Sequence, residues 1–334
     1  MIIVIGGSSF IGVHTVAELL NEGCKVTVTG RNDRFREYYE GLGVDYVNLD
    51  ITEKSGFERL PTKDIEGVIL MAGLLPANTS ADLKNEENAE DYFRINVGGT
   101  LNVLEFCRRN GIKKVISTCS YADVINSWSA EVPVTEDTPR SYRYEGDHAV
   151  YVFSKNAAND IMLYYNEQHG MSNVIFRLPP VYGAGPHGSY RINGKLTKSA
   201  IQKFMDNASE GKPIIVFKGD ESFVRDYAYV KDVARACRMA VQSDNAKGLY
   251  NMTSGKGVTL KEQAEIISEV FCQGQKSEIV ESEQHNGNPR SFVFSMEKAE
   301  KDFGFKPQYS SFRDLMTDYK KDIEAGLFKE LFNY

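Results

Sequence analysis

Long apolar runs are missing from this sequence: none approaches the roughly 20 residues that a membrane-spanning helix needs. No membrane segment is therefore expected. Cysteine is sparse. Its five copies (Cys24, Cys107, Cys119, Cys237 and Cys272) are scattered, odd in number and without a Cys-x-x-Cys pair. That pattern points to neither a disulfide framework nor a zinc site. No metal is expected, and a reducing cytoplasm fits best. A basic surplus is also missing: 39 Lys and Arg stand against 46 Asp and Glu, for a net charge of −7. A general nucleic-acid or anionic-membrane surface is disfavoured, although a local basic pocket stays open. Neither internal repeats nor low-complexity segments occur. The apolar run at the start lasts only four residues before glycine and has no charged region ahead of it, so it reads as a strand rather than a leader.

What is present is an ordinary globular composition, 42% apolar and 25% charged over 334 residues. That is room for one large α/β unit or two unequal domains. The chain opens with Ile2 to Ile5, an apolar run without helical spacing, which predicts a buried strand. Gly6 and Gly7 break it, and a helix follows Gly12, with Val13, Val16, Ala17, Leu19 and Leu20 near one face. Strand, glycine turn and helix together hold a dinucleotide pyrophosphate: bare backbone approaches the phosphates and the helix N-terminus offers unpaired N–H groups. A glycine trio alone is weak evidence; its place directly after an opening strand strengthens it.

Strands are predicted at 25–29, 45–49, 67–71, 113–117 and 173–177, alternating with helical stretches, which indicates a parallel sheet with crossover helices. The second strand ends in Gly30-Arg31, where an acid usually takes the adenosine ribose of NAD. Without that acid, a guanidinium suits a 2′-phosphate, which favours NADP slightly over NAD; the alternative is a solvated arginine in a charged loop. Asp50, before Ile51, either meets the adenine amino group or caps the next turn. Ala72-Gly73 is a second close approach of backbone to cofactor. Residues 76–91 read as a loop and a helix start, and 92–110 as one long amphipathic helix containing Asn96-Val-Gly-Gly-Thr100. Two glycines inside a helix cost roughly 1 kcal/mol each against alanine, so a neighbour or the cofactor must come close there. Residues 126–147 read as a loop, and regular alternation fades past Pro186. The predicted architecture is α/β: a Rossmann-type doubly wound parallel sheet of 1–180 plus 223–250, with a smaller α/β substrate-binding lobe of 181–222 plus 251–334.

Tyr151 and Lys155 lie four apart on a predicted helix and share a face. An ammonium beside a phenol favours the phenolate, as proton transfer near neutral pH requires. Ser120, at a strand's C-terminal end, can bond the same substrate oxygen, so the three can move a proton on or off a hydroxyl while a nicotinamide exchanges hydride at that carbon. The spacing alone is weak, since roughly one Tyr-x-x-x-Lys is expected by chance. A second, Tyr227 to Lys231, sits in a stretch that alternates like a strand and is rejected.

The ordered set Gly6-Gly7…Gly12, Ala72-Gly73, Asn96-Val-Gly-Gly-Thr100, Ser120, Tyr151…Lys155, Arg177…Pro180-Val-Tyr-Gly183 and Arg225-Asp226…Val230-Lys-Asp-Val233 resembles the extended short-chain dehydrogenase/reductases, the NAD-dependent epimerase/dehydratase family. The likeness covers nearly the whole chain. It implies a bound NAD or NADP held by Gly6, Gly7, Ser8, Ser9, Phe10, Ile11, Gly12, Arg31, Asp50, Ile51, Ala72, Gly73 and Lys155. It implies a nucleotide-diphosphate sugar as substrate and a homodimer joined through the helices at 92–110 and 151–169. Asn96 would join Ser120, Tyr151 and Lys155 in catalysis by fixing a water. Arg225 and Arg290 match positions that clamp the substrate diphosphate; for Arg290 a plain surface loop is the alternative.

Three departures stand out. Ser9 replaces the middle glycine of the turn, and its N–H or hydroxyl is expected to face the pyrophosphate. Tyr121 and Ala122 occupy the places where family dehydratases carry an acidic pair, with Asp123 one residue later, so 4,6-dehydration is disfavoured. Pro180 stands where many epimerases have an asparagine. The resemblance points first to a nucleotide-sugar epimerase, at C4, with Tyr151 as acid and base. An NADPH-dependent keto-sugar or other carbonyl reductase is second, and a dinucleotide-binding regulatory or scaffold protein third.

Overall fold

The computed structural model describes residues 1–76, 89–145, 148–186, 188–192, 195–284 and 290–332. The expected loop and helix start at 76–91 falls mostly outside them, as do positions 146, 147 and 187 of two later loops. Strands β1 (Ile2–Ile5), β2 (Val26–Gly30), β3 (Asp45–Asn48), β4 (Gly67–Leu70), β5 (Val115–Ser120) and β6 (Val174–Leu178) join an edge strand, Gly248–Asn251. The sheet order is edge strand, β6, β5, β4, β1, β2, β3, and each neighbouring pair is parallel. This is the doubly wound Rossmann-type sheet. Parallel strands covered on both faces need apolar side chains on both. Accordingly, alternate residues of β1 feed different cores: Ile2 and Val4 pack on one side, Ile3 and Ile5 on the other.

The first core lies under α1 (Phe10–Asn21) and the helix Val230–Gln242, whose Arg238 pairs with Glu18 of α1 at 2.8 Å. A short helix, α2 (Arg36–Gly41), precedes β3. On the opposite face, Val103, Leu104 and Cys107 pack beside Met162 and Tyr165. They belong to α4 (Gly99–Arg109) and α5 (Ala149–Gln168). The expected uninterrupted helix at 92–110 is divided: α3 (Ala89–Tyr92) passes into a π-helical turn, Phe93–Gly98, before α4. The wider turn contains Asn96, and such insertions often mark functional positions. Gly99 meets the side chain of Ile51, which a Cβ there would overlap, whereas Gly98 has nothing so close.

A third core forms the lobe. Ile201, Phe204 and Met205 pack with Tyr227, Leu260, Ile267, Phe312 and Leu315. Two-residue strands lace it to the sheet domain: Ala228–Tyr229 runs parallel to Val181–Tyr182, and Val224–Arg225 pairs antiparallel with Val258–Thr259. Met252, Ala299, Phe305, Phe328, Leu331 and Phe332 join the first core, and Phe332 meets Phe35 at 5.7 Å between ring centroids. No helix among the described residues is long and apolar enough to cross a membrane.

Candidate active site

The strand order reverses direction at β1, because β2 leaves on one side and β4 lies on the other. A crevice opens there beyond the strands' C-terminal ends. Gly6 adopts φ +85°, and a Cβ on it would overlap the Ala72 backbone; a Cβ on Gly12 would overlap the Gly6 carbonyl. These positions keep bare peptide where the crevice is narrowest. Ser9 has φ −86° and ψ 166°, ordinary extended values, so no glycine is required there for conformation. Its hydroxyl oxygen caps α1 by accepting the Gly12 N–H at 3.1 Å, while its own N–H donates to Gly6 O at 3.0 Å. The hydroxyl hydrogen is the donor that Ser9 retains for an anion.

Gly6, Ser8, Ser9, Gly30, Arg31, Asp50, Ile51, Ala72 and Gly73 line one groove of about 240 Å³. Gly7, Phe10, Ile11, Gly12 and Lys155 do not line it. Gly7 fits against Val28 beneath the turn, and the Phe10 ring lies against Gly185. A side chain at position 30 would strike the Tyr46 hydroxyl and Ser8 Oγ, and that Tyr46 hydroxyl is held by Asn32 O at 2.7 Å. The space for an acid after β2 is thus filled by Tyr46 and Ser8. Arg31 is exposed at this groove. Asp50 Oδ1 accepts the Thr52 N–H at 2.9 Å and the Thr52 hydroxyl at 2.8 Å, so it caps the next turn while lining the groove. Burial works against its charge, but the Thr52 hydrogen bonds and Arg31 together hold the carboxyl below its usual value. Bare backbone at Gly6, the cap of α1 and a cationic rim fit a nicotinamide dinucleotide.

Ser120 ends β5 and caps a 3₁₀ segment, Tyr121–Ser127, by accepting the Ala122 N–H at 3.2 Å. Tyr151 and Lys155 stand one turn apart on α5, and Tyr151 packs edge-on to Tyr92 at 6.4 Å. Lys155 is 8% exposed. Burial raises the Tyr151 phenol above its ordinary value and lowers the Lys155 ammonium to about 8. The fields of both reach Cys119, a thiol pushed up to about 12 by burial.

Asn96 has its amide fully engaged. Oδ1 accepts the Leu74 N–H at 2.7 Å, and Nδ2 donates to Leu74 O at 3.1 Å and to Ser154 Oγ at 2.9 Å. Ser154 in turn donates to Tyr151 O at 2.9 Å. Asn96 therefore ties the segment after β4 to the helix of Tyr151 and Lys155, with both donors already used. Ser154 is a residue that sequence reasoning missed. The only available signal was a small polar residue next to Lys155 on the inward face.

Arg225 forms no ion pair among the described residues, and its charge lowers the phenols of Tyr121 and Tyr182, although burial raises both overall. Arg290 donates to Ile125 O at 2.9 Å and reaches Asn126 Oδ1 at 3.4 Å. Backbone bridging of Arg225 to Phe292 brings the two arginine segments side by side. Between Ser120 and these segments stands an aromatic wall. Tyr121 stacks on Trp128 at 4.8 Å and tilts against Phe292 at 5.3 Å. Asp123 is locked to Arg177 at 2.9 Å, with both side chains almost fully buried. The rejected pair also separates here: Tyr227 precedes a short strand and donates to Ser310 O at 3.1 Å, whereas Lys231 pairs with Asp318 and Asp322.

The model of the NAD dependent epimerase/dehydratase family matches residues 2–253. A protein of Methanocaldococcus jannaschii described as a putative UDP-glucose 4-epimerase is 29% identical over 308 residues, covering 92% of this chain and 93% of its own. The UDP-glucose 4-epimerase of Halalkalibacterium halodurans is 26% identical over 330 residues, covering 94% and 93%. Among solved structures, the Thermus thermophilus UDP-glucose 4-epimerase complex with NAD superposes with a TM-score of 0.73 at 27% identity, covering 96% of this chain and 98% of that one. The Thermotoga maritima UDP-glucose 4-epimerase with UDP-glucose reaches 0.78 at 21% identity, covering 98% and 99%, a likeness of fold.

Burial of Lys155 makes a sign-specific prediction. The folded protein holds the ammonium to about pH 8 and the unfolded chain to 10.5. The charge therefore opposes folding below pH 8, and this contribution to stability rises with pH between those values. Without cofactor, Lys155→Met should be more stable than the parent at pH 7, by at most roughly 3 kcal/mol. That advantage should shrink towards pH 10. Urea unfolding across this range checks it, and a pH-independent difference would contradict it.

Proposed function

Because the chain belongs to the NAD dependent epimerase/dehydratase family, we propose that it is a nucleotide-sugar 4-epimerase. The observation that carries this reading is Ser120, Tyr151 and Lys155 at the C-terminal edge of the sheet, with no free carboxylate in the following turn. The relatives named as UDP-glucose 4-epimerases support a UDP-hexose as substrate. Tyr151 takes the proton of the sugar's C4 hydroxyl, and Ser120 steadies the same oxygen by hydrogen bonding. Lys155 supplies the positive field that favours the phenolate, and it holds the nicotinamide ribose. A nicotinamide dinucleotide, held by the glycine turn and by Lys155, would supply reversible hydride exchange at C4, which inverts that carbon when the hydride comes back to the other face of the turned sugar. Tyr151 then gives its proton back to the oxygen. Arg225 and Arg290 hold the diphosphate, and Tyr121 and Ala122, standing where dehydratases carry an acidic pair, leave no such pair to eliminate water.

The cofactor is NADP or NAD, and Arg31 favours the 2′-phosphate slightly. Supporting this are the filled space at Gly30 and the exposed guanidinium beside the groove. The same arginine is the one feature that favours the second reading, an NADPH-dependent keto-sugar reductase. The working form is a homodimer through the helical stretches 92–110 and 151–169, where Phe93 of the π-helical turn, Leu101 of α4 and Tyr164 of α5 are exposed apolar side chains. Scattered free cysteines fit a cytoplasmic setting.

Incubated with UDP-glucose and catalytic dinucleotide, the protein should form UDP-galactose without net change in reduced nicotinamide. Stoichiometric consumption of NADPH with a ketone would instead establish the reductase. Tyr151→Phe should lower kcat about a thousandfold and leave dinucleotide binding nearly unchanged; full activity in that variant would remove Tyr151 from the mechanism. Arg31→Ala should weaken NADP⁺ binding about tenfold, as loss of a charged hydrogen bond does, and spare NAD⁺. Equal effects on both dinucleotides in calorimetry would refute the 2′-phosphate role. Light scattering should give twice the chain mass, and Leu101→Asp should halve it; a parent protein that is monomeric at micromolar concentration would exclude the dimer.

A further inference from the structure

Asp226 directly follows Arg225 and is 2% exposed. Its carboxylate gathers donors from three separate stretches of chain. Oδ1 accepts the Tyr227 N–H at 2.8 Å and the Ser254 hydroxyl at 2.7 Å. Oδ2 accepts the Phe294 N–H at 3.1 Å. No lysine or arginine pairs with it among the described residues. Arg225 next door is thus not neutralised by it. Burial pushes the carboxyl up to about 6, against the pull of these hydrogen bonds. An ionised carboxylate is acceptor-only at both oxygens, and that is what donors arriving from two sides require.

The stretch it fixes is the one that carries the second arginine. Residues 290–294 run along 224–226: Phe292 N–H donates to Val224 O at 2.9 Å, and Asp226 N–H donates to Phe292 O at 3.0 Å. The Val224 N–H donates to Ser291 Oγ at 3.1 Å. On its other edge the stretch is held by Val293 N–H to Ser129 O at 2.9 Å and by Arg290 to Ile125 O. This short segment forms isolated bridges to Arg225 and to Val134, where Val134 N–H donates to Val293 O at 2.8 Å and Ser295 N–H to Val134 O at 2.9 Å. Its attachment at Phe294 to the buried carboxylate adds a side-chain tie to these few backbone bonds.

We propose that Asp226 is the positioning residue of the diphosphate clamp: its carboxylate holds the Arg225 and Arg290 segments in one register. The assignment rests on the reading of those two arginines as the clamp. Asp226 itself touches no substrate. It acts by keeping two guanidinium groups at the spacing that one diphosphate can bridge, which is where bidentate contacts gain their specificity.

Asp226→Asn keeps the shape but turns an N–H₂ towards one set of donors, so either Phe294 or the Tyr227 and Ser254 pair loses its acceptor. The expected result is a rise of about tenfold or more in KM for UDP-glucose and in Kd for UDP by calorimetry, the size of a charged hydrogen bond. Turnover at saturation should stay within about threefold, and dinucleotide affinity should not change. In an Arg225→Ala/Arg290→Ala background the same replacement should add little, because both groups it positions are gone. Unchanged UDP affinity in Asp226→Asn, or an equal loss added on top of the double arginine variant, would overturn the assignment and leave Asp226 a general stabiliser. Should Arg225→Ala and Arg290→Ala each leave UDP affinity intact, the clamp reading falls, and the role of Asp226 falls with it. If Asp226→Asn does not fold, Ser254→Ala removes one donor instead. A rise of about threefold in Kd for UDP supports the proposal and no rise refutes it.

Discussion

Gly6 presses an unsubstituted α-carbon against the Ala72 peptide, and the rest of the site depends on that contact. The constraint comes from topology. At β1 the chain departs towards β2 while β4 sits on the opposite side, so two strand ends diverge from one point and leave a crevice. The crevice is useful only if the turn leaving β1 stays low enough for phosphate to reach the amide groups of α1. A side chain at Gly6 or Gly12 would lift the turn into the groove. Ser9 has room because its backbone is extended and its hydroxyl folds back as the cap of α1. The substituted glycine turn is therefore a locally satisfied structure, in which the Gly12 N–H that a glycine at position 9 would leave free is already bonded to Ser9 Oγ.

From the same crevice a second chain of contacts reaches Tyr151 and Lys155. The segment after β4 is gripped at Leu74 by Asn96, Asn96 holds Ser154, and Ser154 holds the Tyr151 carbonyl. The floor of the dinucleotide groove and the helix carrying Tyr151 and Lys155 are thus positioned by one buried amide. Burial raises the phenol and depresses the ammonium. Both shifts disfavour charge, and phenolate chemistry needs charge. A site built in this way is destabilised by its own lysine in the free protein, a common consequence of placing ionisable groups where reactions need low dielectric.

The sheet was legible in the sequence because a parallel strand covered on both faces must be continuously apolar, and runs such as Ile2 to Ile5 have no other economical explanation. The glycine turn and the Tyr151–Lys155 spacing were legible because each is a local pattern. What the sequence did not reveal depends on contacts between distant segments. The π-helical turn around Asn96 has the composition of an ordinary helix. The approach of Ile51 to Gly99 joins residues far apart in sequence. The last residues return under α1 through Phe328, Leu331 and Phe332, which read no differently from a lobe helix. Asp50 was ambiguous between cap and groove, and it occupies both places with one carboxylate.

The turn after β5 shows how packing can decide chemistry. Three side chains follow Ser120 where a second acid and base could sit. Tyr121 stacks on Trp128 and tilts against Phe292, and Ala122 carries no polar group. Asp123 alone has the right chemistry, yet it points into the protein as the partner of Arg177. That guanidinium also donates to Asn251 Oδ1 at 3.1 Å on the edge strand and to Thr135 O at 3.3 Å. Freeing Asp123 would strand a buried arginine, at a cost of about 3–5 kcal/mol, a large share of the stability of a typical domain. The carboxylate nearest Ser120 in sequence is thus held in the frame of the sheet. In the proposed mechanism proton traffic is left to Tyr151, with Ser120 and Lys155 to orient and polarise it. Such a mechanism, with one proton carrier, can take a hydroxyl proton and return it, but has no second group to expel water. The same ion pair that closes the sheet edge thereby narrows the reactions open to the crevice above it.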